Sequence, residues 1–145
     1  MNIVLDSSVL VAAYISRYGA CAEVLEEILM RDKLVLSRPI LDEVVRILRT
    51  KFDFDLADVA DVKASLERSA EWVQPVVLPP DVCRDMNDHV ILGTAVAASA
   101  SMLLTVDKDL LVLGQFRSTR IVKPGQYWNQ RDRPLGVQEV AARYG

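Results

Sequence analysis

The chain is poor in the residues that build soft-metal and nucleophilic centres: one histidine, His89, and two cysteines, Cys21 and Cys83, in 145 residues. Without C-x-x-C spacing or a histidine cluster, zinc sites of the Cys/His type are excluded, and both thiols are expected to be free. The same scarcity leaves Ser7 and Ser8 without a histidine base, which removes serine nucleophile chemistry. No apolar run reaches the roughly 18 residues that a membrane span requires. The stretch Met1-Asn2-Ile3-Val4-Leu5-Asp6 has neither the basic region nor the cleavage site of a secretory signal. The expectation is a soluble cytoplasmic protein with no membrane partner. Repeats, low-complexity segments and interior linkers are also lacking. A net charge of −3 and a pI near 5.2 argue against coating nucleic acid through bulk charge. They leave open an enzyme that grips nucleic acid locally, because acids in a pocket depress the total.

What is present is apolar material in short, evenly spaced pieces. Hydrophobic residues make up 51% of the chain and mean hydropathy is +0.18, which suits one compact domain whose sheet is covered on both faces. Strands are expected at 2–5, 33–37, 76–78, 102–106 and 120–122. Helices are expected at 9–15, with Ser7 or Ser8 available as cap, and at 20–31. Others are expected from Pro39 to about Lys51, over 57–72 (one helix or two), and over 89–99, with a turn or two at 109–113. The segment 52–56 is read as a connection and 83–87 as a polar loop. This alternation predicts an α/β domain with a mainly parallel sheet over residues 1–125. Residues 126–145 fall outside the alternation. They read as a tail folded back on the domain, with a short helix within 135–144, or as an element used in association with a partner or second subunit.

Four carboxylates stand at the joints of this pattern: Asp6 after the first strand, Glu43 in Leu41-Asp42-Glu43-Val44, Asp88 before the alanine-rich helix, and Asp107 after the strand 102–106. Singly, Asp6, Asp88 and Asp107 are well explained as helix caps, and Glu43 as a first-turn acid favoured by the helix dipole. Together they suggest more. Open parallel sheets bind ligands beyond the carboxyl ends of their strands, where Asp6 and Asp107 fall. Glu43 lies too far into its helix to cap it, beside the apolar stripe that packs on the sheet, so its charge needs compensation that a bound cation would supply. Clustered carboxylates with hard oxygens and no imidazole or thiolate select Mg²⁺ or Mn²⁺. Such ions activate water and neutralise charge on phosphorus, so phosphodiester hydrolysis is the expected chemistry. His89 is read as a surface or helix-start residue rather than a general base.

The set of Asp6, Glu43, Asp88 and the run Thr105-Val106-Asp107-Lys108-Asp109-Leu110-Leu111 resembles the PIN-domain ribonucleases, in particular the prokaryotic VapC-like toxins of type II toxin–antitoxin pairs. The resemblance spans about residues 1–125, with four motifs in order. It implies a three-layer α/β/α fold with a central, mainly parallel sheet, and a Mg²⁺- or Mn²⁺-dependent endoribonuclease. Asp6, Glu43, Asp88 and Asp107 take the places of the family's catalytic, metal-binding acids, and Asp109 matches a further metal-binding acid. Thr105 matches the hydroxyl that precedes the last acid. Ser8 and Arg46 are candidates for contact with substrate, as are Arg49, Lys51 and Lys108. The implied partners are RNA, a cognate antitoxin and a second copy in a homodimer. Four positions depart from the family pattern. Ser7-Ser8 replaces a frequent Thr-Asn, Val106 replaces a frequent glycine, the run Asp85-Met86-Asn87-Asp88 lacks a common proline, and His89 stands where lysine is common.

Other classes compete less well. An aspartyl phosphatase would want a second Asp two residues after Asp6, where Ser8 stands. A receiver domain would want a phosphoacceptor Asp after a central strand, where Ser37-Arg38-Pro39 stands. A PIN-fold module that binds RNA or protein with little or no turnover is the main alternative from a different class.

Overall fold

The computed structural model describes residues 1–131. Its centre is a six-stranded sheet in the order β3-β2-β1-β4-β6-β5. The strands are β1 (Asn2–Leu5), β2 (Lys33–Leu36), β3 (Glu71–Trp72), β4 (Met102–Leu104), β5 (Gln115–Phe116) and β6 (Thr119–Val122). Every pairing is parallel except that of β5 with β6. The helices are α1 (Ser7–Ile15), α2 (Ala20–Arg31), α3 (Arg38–Lys51), α4 (Leu56–Ser69), α5 (Met86–Ala97), α6 (Lys108–Leu111) and α7 (Tyr127–Arg131). The result is the α/β domain with a mainly parallel sheet that the alternation predicts, in the three-layer α/β/α form that the resemblance implies. Ile3, Val4 and Leu5 of β1 and Met102, Leu103 and Leu104 of β4 are fully buried. Consecutive buried side chains on alternating faces are what a strand covered on both sides requires.

The order has a functional consequence. From β1 the chain steps outward to β2 and β3 on one side, then returns to place β4 and β6 on the other. The connections leaving β1 and β4 therefore diverge at neighbouring strand ends, opening a crevice between them.

Three elements differ from the sequence expectation. The helix expected to reach Trp72 stops at Ser69, and Glu71–Trp72 pairs with β2 instead. Trp72 lies under the Arg38 guanidinium, 4.7 Å from the ring centroid, and the Val73 amide extends the pairing to the Leu36 carbonyl. The strand expected at 76–78 does not form. Pro75, Pro79 and Pro80 remove ladder donors around it, and the Val76 amide bonds to the Gly93 carbonyl of α5. Gly93 permits this crossing, since a Cβ there would meet the Val76 carbonyl oxygen at 2.3 Å. The β5–β6 hairpin was not anticipated; its turn places Arg117 at φ 52°, a backbone conformation that the residue type does not advertise.

Of the tail, residues up to Arg131 are described. Tyr127 is fully buried and donates its hydroxyl to Asp32 Oδ2 (2.6 Å), and Arg131 Nε donates to the same oxygen (2.9 Å). The helix expected within 135–144 lies outside the described residues.

Candidate active site

Asp6 occupies the N-cap position of α1 but makes no side-chain cap bond. Its carboxylate is buried among hydroxyls: Ser7 Oγ donates to Oδ1 (3.2 Å), while Ser8 Oγ (3.2 Å) and Thr105 Oγ1 (2.7 Å) donate to Oδ2. The capping role expected for Ser7 or Ser8 is thus replaced by support of Asp6, because strand pairing brings Thr105 alongside. The Asp6 amide bonds to the Leu104 carbonyl (3.0 Å). Thr105 Oγ1 also accepts the Asp107 amide (3.0 Å), so one buried hydroxyl ties the ends of β1 and β4 together.

Asp107 caps α6 as expected, accepting the Asp109 amide (2.9 Å). Asp88 does not cap. Helix α5 begins earlier than expected, at Met86, because Asp85 takes the cap position and accepts the Asn87 amide (2.9 Å). That leaves Asp88 in the first helical turn, only 4% exposed. His89 is also in the first turn but is buried rather than on the surface, and its Nε2 donates to the Cys83 carbonyl (2.8 Å).

Asp88, Asp107 and Asp109 each offer a carboxylate oxygen within 4.8 Å of the other two. Burial, followed by the charge and hydrogen bonding of Asp107 and the charges of Asp85 and Asp6, pushes the Asp88 carboxyl up to about 7. Acids forced together in this way hold their charge only with compensation. Oxygen-only donors of this type fit a hard divalent cation such as Mg²⁺ or Mn²⁺.

Asp6 and Glu43 complete the enclosure without joining that trio. A cavity of about 300 Å³ is lined by Asp6, Ser7, Ser8, Asp85, Asp88, Asp107 and Val106. Pro39, Ile40, Glu43 and Ile47 of α3 and Asn87, Val90 and Ile91 of α5 complete its lining. Asp109, Thr105 and Arg46 act from outside this lining. The charge of Glu43 needs no metal for compensation: Arg46 forks onto it, with Nη2 donating at 2.7 Å and Nε at 3.1 Å. Neither Arg46 nor Arg49, Lys51 or Lys108 lines the cavity. Asp85, Asn87 and the isoleucine–valine wall were not among the residues expected at the site. Helical spacing could have found them, since 40, 43 and 47 share a face of α3 and 87, 88 and 91 a face of α5.

A PIN domain family profile matches residues 2–109, a span holding all five acids. The chain belongs to the PIN-domain family. The same fold also appears in the comparison with solved structures. A chain of VapBC2 from Rickettsia felis, crystallised bound to a DNA fragment from their promoter, aligns at a TM-score of 0.60. It is 14% identical, over 83% of this chain and 97% of that one. At that identity the likeness concerns the fold. No curated protein matches the sequence. Within this PIN domain the departures from the family pattern acquire places. Ser8 supports Asp6, Val106 stands half-exposed in the cavity lining, and Asp85 caps α5 without a proline beside it. Among the described residues, no single helix is long and apolar enough to cross a membrane.

Proposed function

We propose that this PIN domain is a Mg²⁺- or Mn²⁺-dependent endoribonuclease, the toxin of a toxin–antitoxin pair acting in the cytoplasm. The observation that carries the reading is the buried Asp88 carboxyl held against Asp107 and Asp109, by the crevice where the connections leaving β1 and β4 diverge. Asp88, Asp107 and Asp109 would hold the cation, with Asp6 and Glu43 on the flanks of the site. The bound cation supplies an activated water and neutralises charge developing on the phosphoryl oxygens. The chain's own residues do the positioning. Ser7, Ser8 and Thr105 fix the Asp6 carboxylate in place, and the Asp109 amide orients Asp107. Arg46, held by Glu43 outside the cavity, is available to an approaching phosphate.

The VapBC2 likeness supports an antitoxin protein as partner, and a homodimer is the proposed assembly. Residues 1–125 form the proposed nuclease domain and 126–145 a tail that serves packing or association. The test is cleavage of a mixed RNA pool with Mn²⁺, Mg²⁺ or chelator, using Asp6→Asn and Asp107→Asn controls. Metal-dependent cleavage that both substitutions abolish is the expected result. RNA binding without cleavage at any metal concentration would identify a binding module instead.

A further inference from the structure

Helices α3 and α5 both contribute to the cavity lining, and one pair of buried hydroxyls joins them. Ser37 Oγ and Thr94 Oγ1 stand 2.8 Å apart, and both residues are fully buried. Thr94 Oγ1 spends its single proton on the Val90 carbonyl (2.7 Å). Ser37 is therefore the donor, and the bonds run in one direction from Ser37 through Thr94 to Val90. The sequence around Ser37 permits this. It holds the N-cap position of α3, where a serine ordinarily accepts an amide of the first turn. It makes no such bond, and Pro39 at the second helical position has no N–H to offer. Among the described residues this is the one hydrogen bond between the α3 segment and α5. Apolar packing is non-directional, so it holds two helices together without fixing how far one slides along the other. A buried, directional hydrogen bond fixes that position.

We propose that Ser37 and Thr94 are positioning residues of the site, whose hydroxyl chain sets the register of α3 against α5. This rests on the nuclease reading above. Neither residue lines the cavity, and each acts through an acid on its own helix. Glu43 follows Ser37 by six positions and Asp88 precedes Thr94 by six, which is about 9 Å along each helix. A slip of α3 at the hydroxyl pair therefore carries Glu43, with the Arg46 that forks onto it, past Asp88 by the same distance. Asp107 and Asp109 belong to the cap and first turn of α6, so the three acids that would hold the cation stay together. The consequence is selective. Cation binding survives, and the flank of the site supplied by α3 is displaced.

The test sets shape against hydrogen bonding at one position. Thr94→Val keeps the shape and breaks the chain, whereas Thr94→Ser keeps the chain and loses a methyl group. Cleavage of RNA is measured at saturating Mn²⁺, at a temperature where circular dichroism shows each variant folded. Thr94→Val should lower kcat by about 10- to 100-fold, the cost of misplacing a group by about 1 Å. Mn²⁺ affinity, measured calorimetrically, should stay unchanged, and Thr94→Ser should restore kcat. Ser37→Ala leaves Thr94 bonded to Val90 and should reproduce the loss. Combining it with Thr94→Val should add little, since both break the same bond. A Thr94→Val variant that cleaves like the wild type would overturn the proposal. So would a Thr94→Ser variant as impaired as Thr94→Val, or a Mn²⁺ affinity that falls together with kcat. A second measurement needs no activity. Spin labels at Arg49→Cys and Met86→Cys, both exposed positions, in a chain carrying Cys21→Ser and Cys83→Ser, report the distance between α3 and α5. Thr94→Val should shift or broaden that distance and Thr94→Ser should not, and an unchanged distance in Thr94→Val would overturn the register. Absence of metal-dependent cleavage by the wild type would instead sink the nuclease reading, and the label distances would still decide the register.

Discussion

Thr105 and Asp6, 99 positions apart in sequence, share a buried hydrogen bond of 2.7 Å from Oγ1 to Oδ2, and the same hydroxyl accepts the Asp107 amide. One side chain thereby sets two of the site's acids against each other. A hydroxyl can do this because it donates and accepts at once.

Thr105→Val keeps the shape and removes both bonds. It leaves the Asp107 amide without that partner and Asp6 with two donors in place of three. Stability should fall by about 1–3 kcal/mol in urea denaturation, and Mn²⁺ affinity should fall with it. Thr105→Ser should recover most of both.

Asp88 gives the metal-free protein an unusual pH response. Its carboxyl is raised from 3.8 to about 7 in the fold, so between those values the native state binds more protons than the unfolded one. Stability contributed at low pH is therefore lost as pH rises toward about 7 and stays lost above it. Asp88→Asn should abolish this slope, stabilising the metal-free protein at pH 8 by an amount on the order of a few kcal/mol and raising its melting temperature there. The gain should vanish near pH 4. Mn²⁺ should stabilise the wild type much more than the variant, measurable by differential scanning fluorimetry.

Asp32 shows the opposite sign. Burial works against its charge, but hydrogen bonds from Tyr127 and Arg131 outweigh it and hold the carboxyl below its ordinary value. The stabilisation is present above the unfolded pKa and is lost as pH falls through the depressed one. Tyr127→Phe removes the 2.6 Å bond and should cost about 1.5–3 kcal/mol at pH 7. Its acid unfolding midpoint should move to higher pH, read by circular dichroism.

At Gly93 the constraint is steric. A methyl group would stand 2.3 Å from the Val76 carbonyl oxygen, a backbone atom. Gly93→Ala should therefore destabilise by about 1–3 kcal/mol despite alanine's better helix propensity. Guanidinium denaturation would measure it, and a stabilised variant would show that the Val76 segment moves aside freely.

Much of the architecture is legible from periodicity. Short apolar runs alternating with amphipathic stretches define β1, β2, β4 and β6 and most of the helices, since burial on one or both faces leaves a repeat that the sequence records. Two of the misreadings turn on distant partners. Trp72 forms a strand because Leu36 offers an unpaired edge, and Val76–Leu78 does not because Gly93 lets the chain cross α5. Neither partner is near in sequence.

The site divides the same way. The order of Asp6, Glu43, Asp88, Asp107 and Asp109 along the chain, and the absence of soft ligands, determine by themselves that any metal here is a hard one held by carboxylates. Which acids meet was decided only by the tertiary structure. Asp88, Asp107 and Asp109 converge, Asp6 is wrapped in hydroxyls, and Glu43 is matched by Arg46. The physical reason is that ligand type is a property of side chains, whereas their separation depends on strand order and on where each helix is capped. A single residue, Asp85, by taking the cap of α5, is what turns Asp88 from a surface cap into a buried acid.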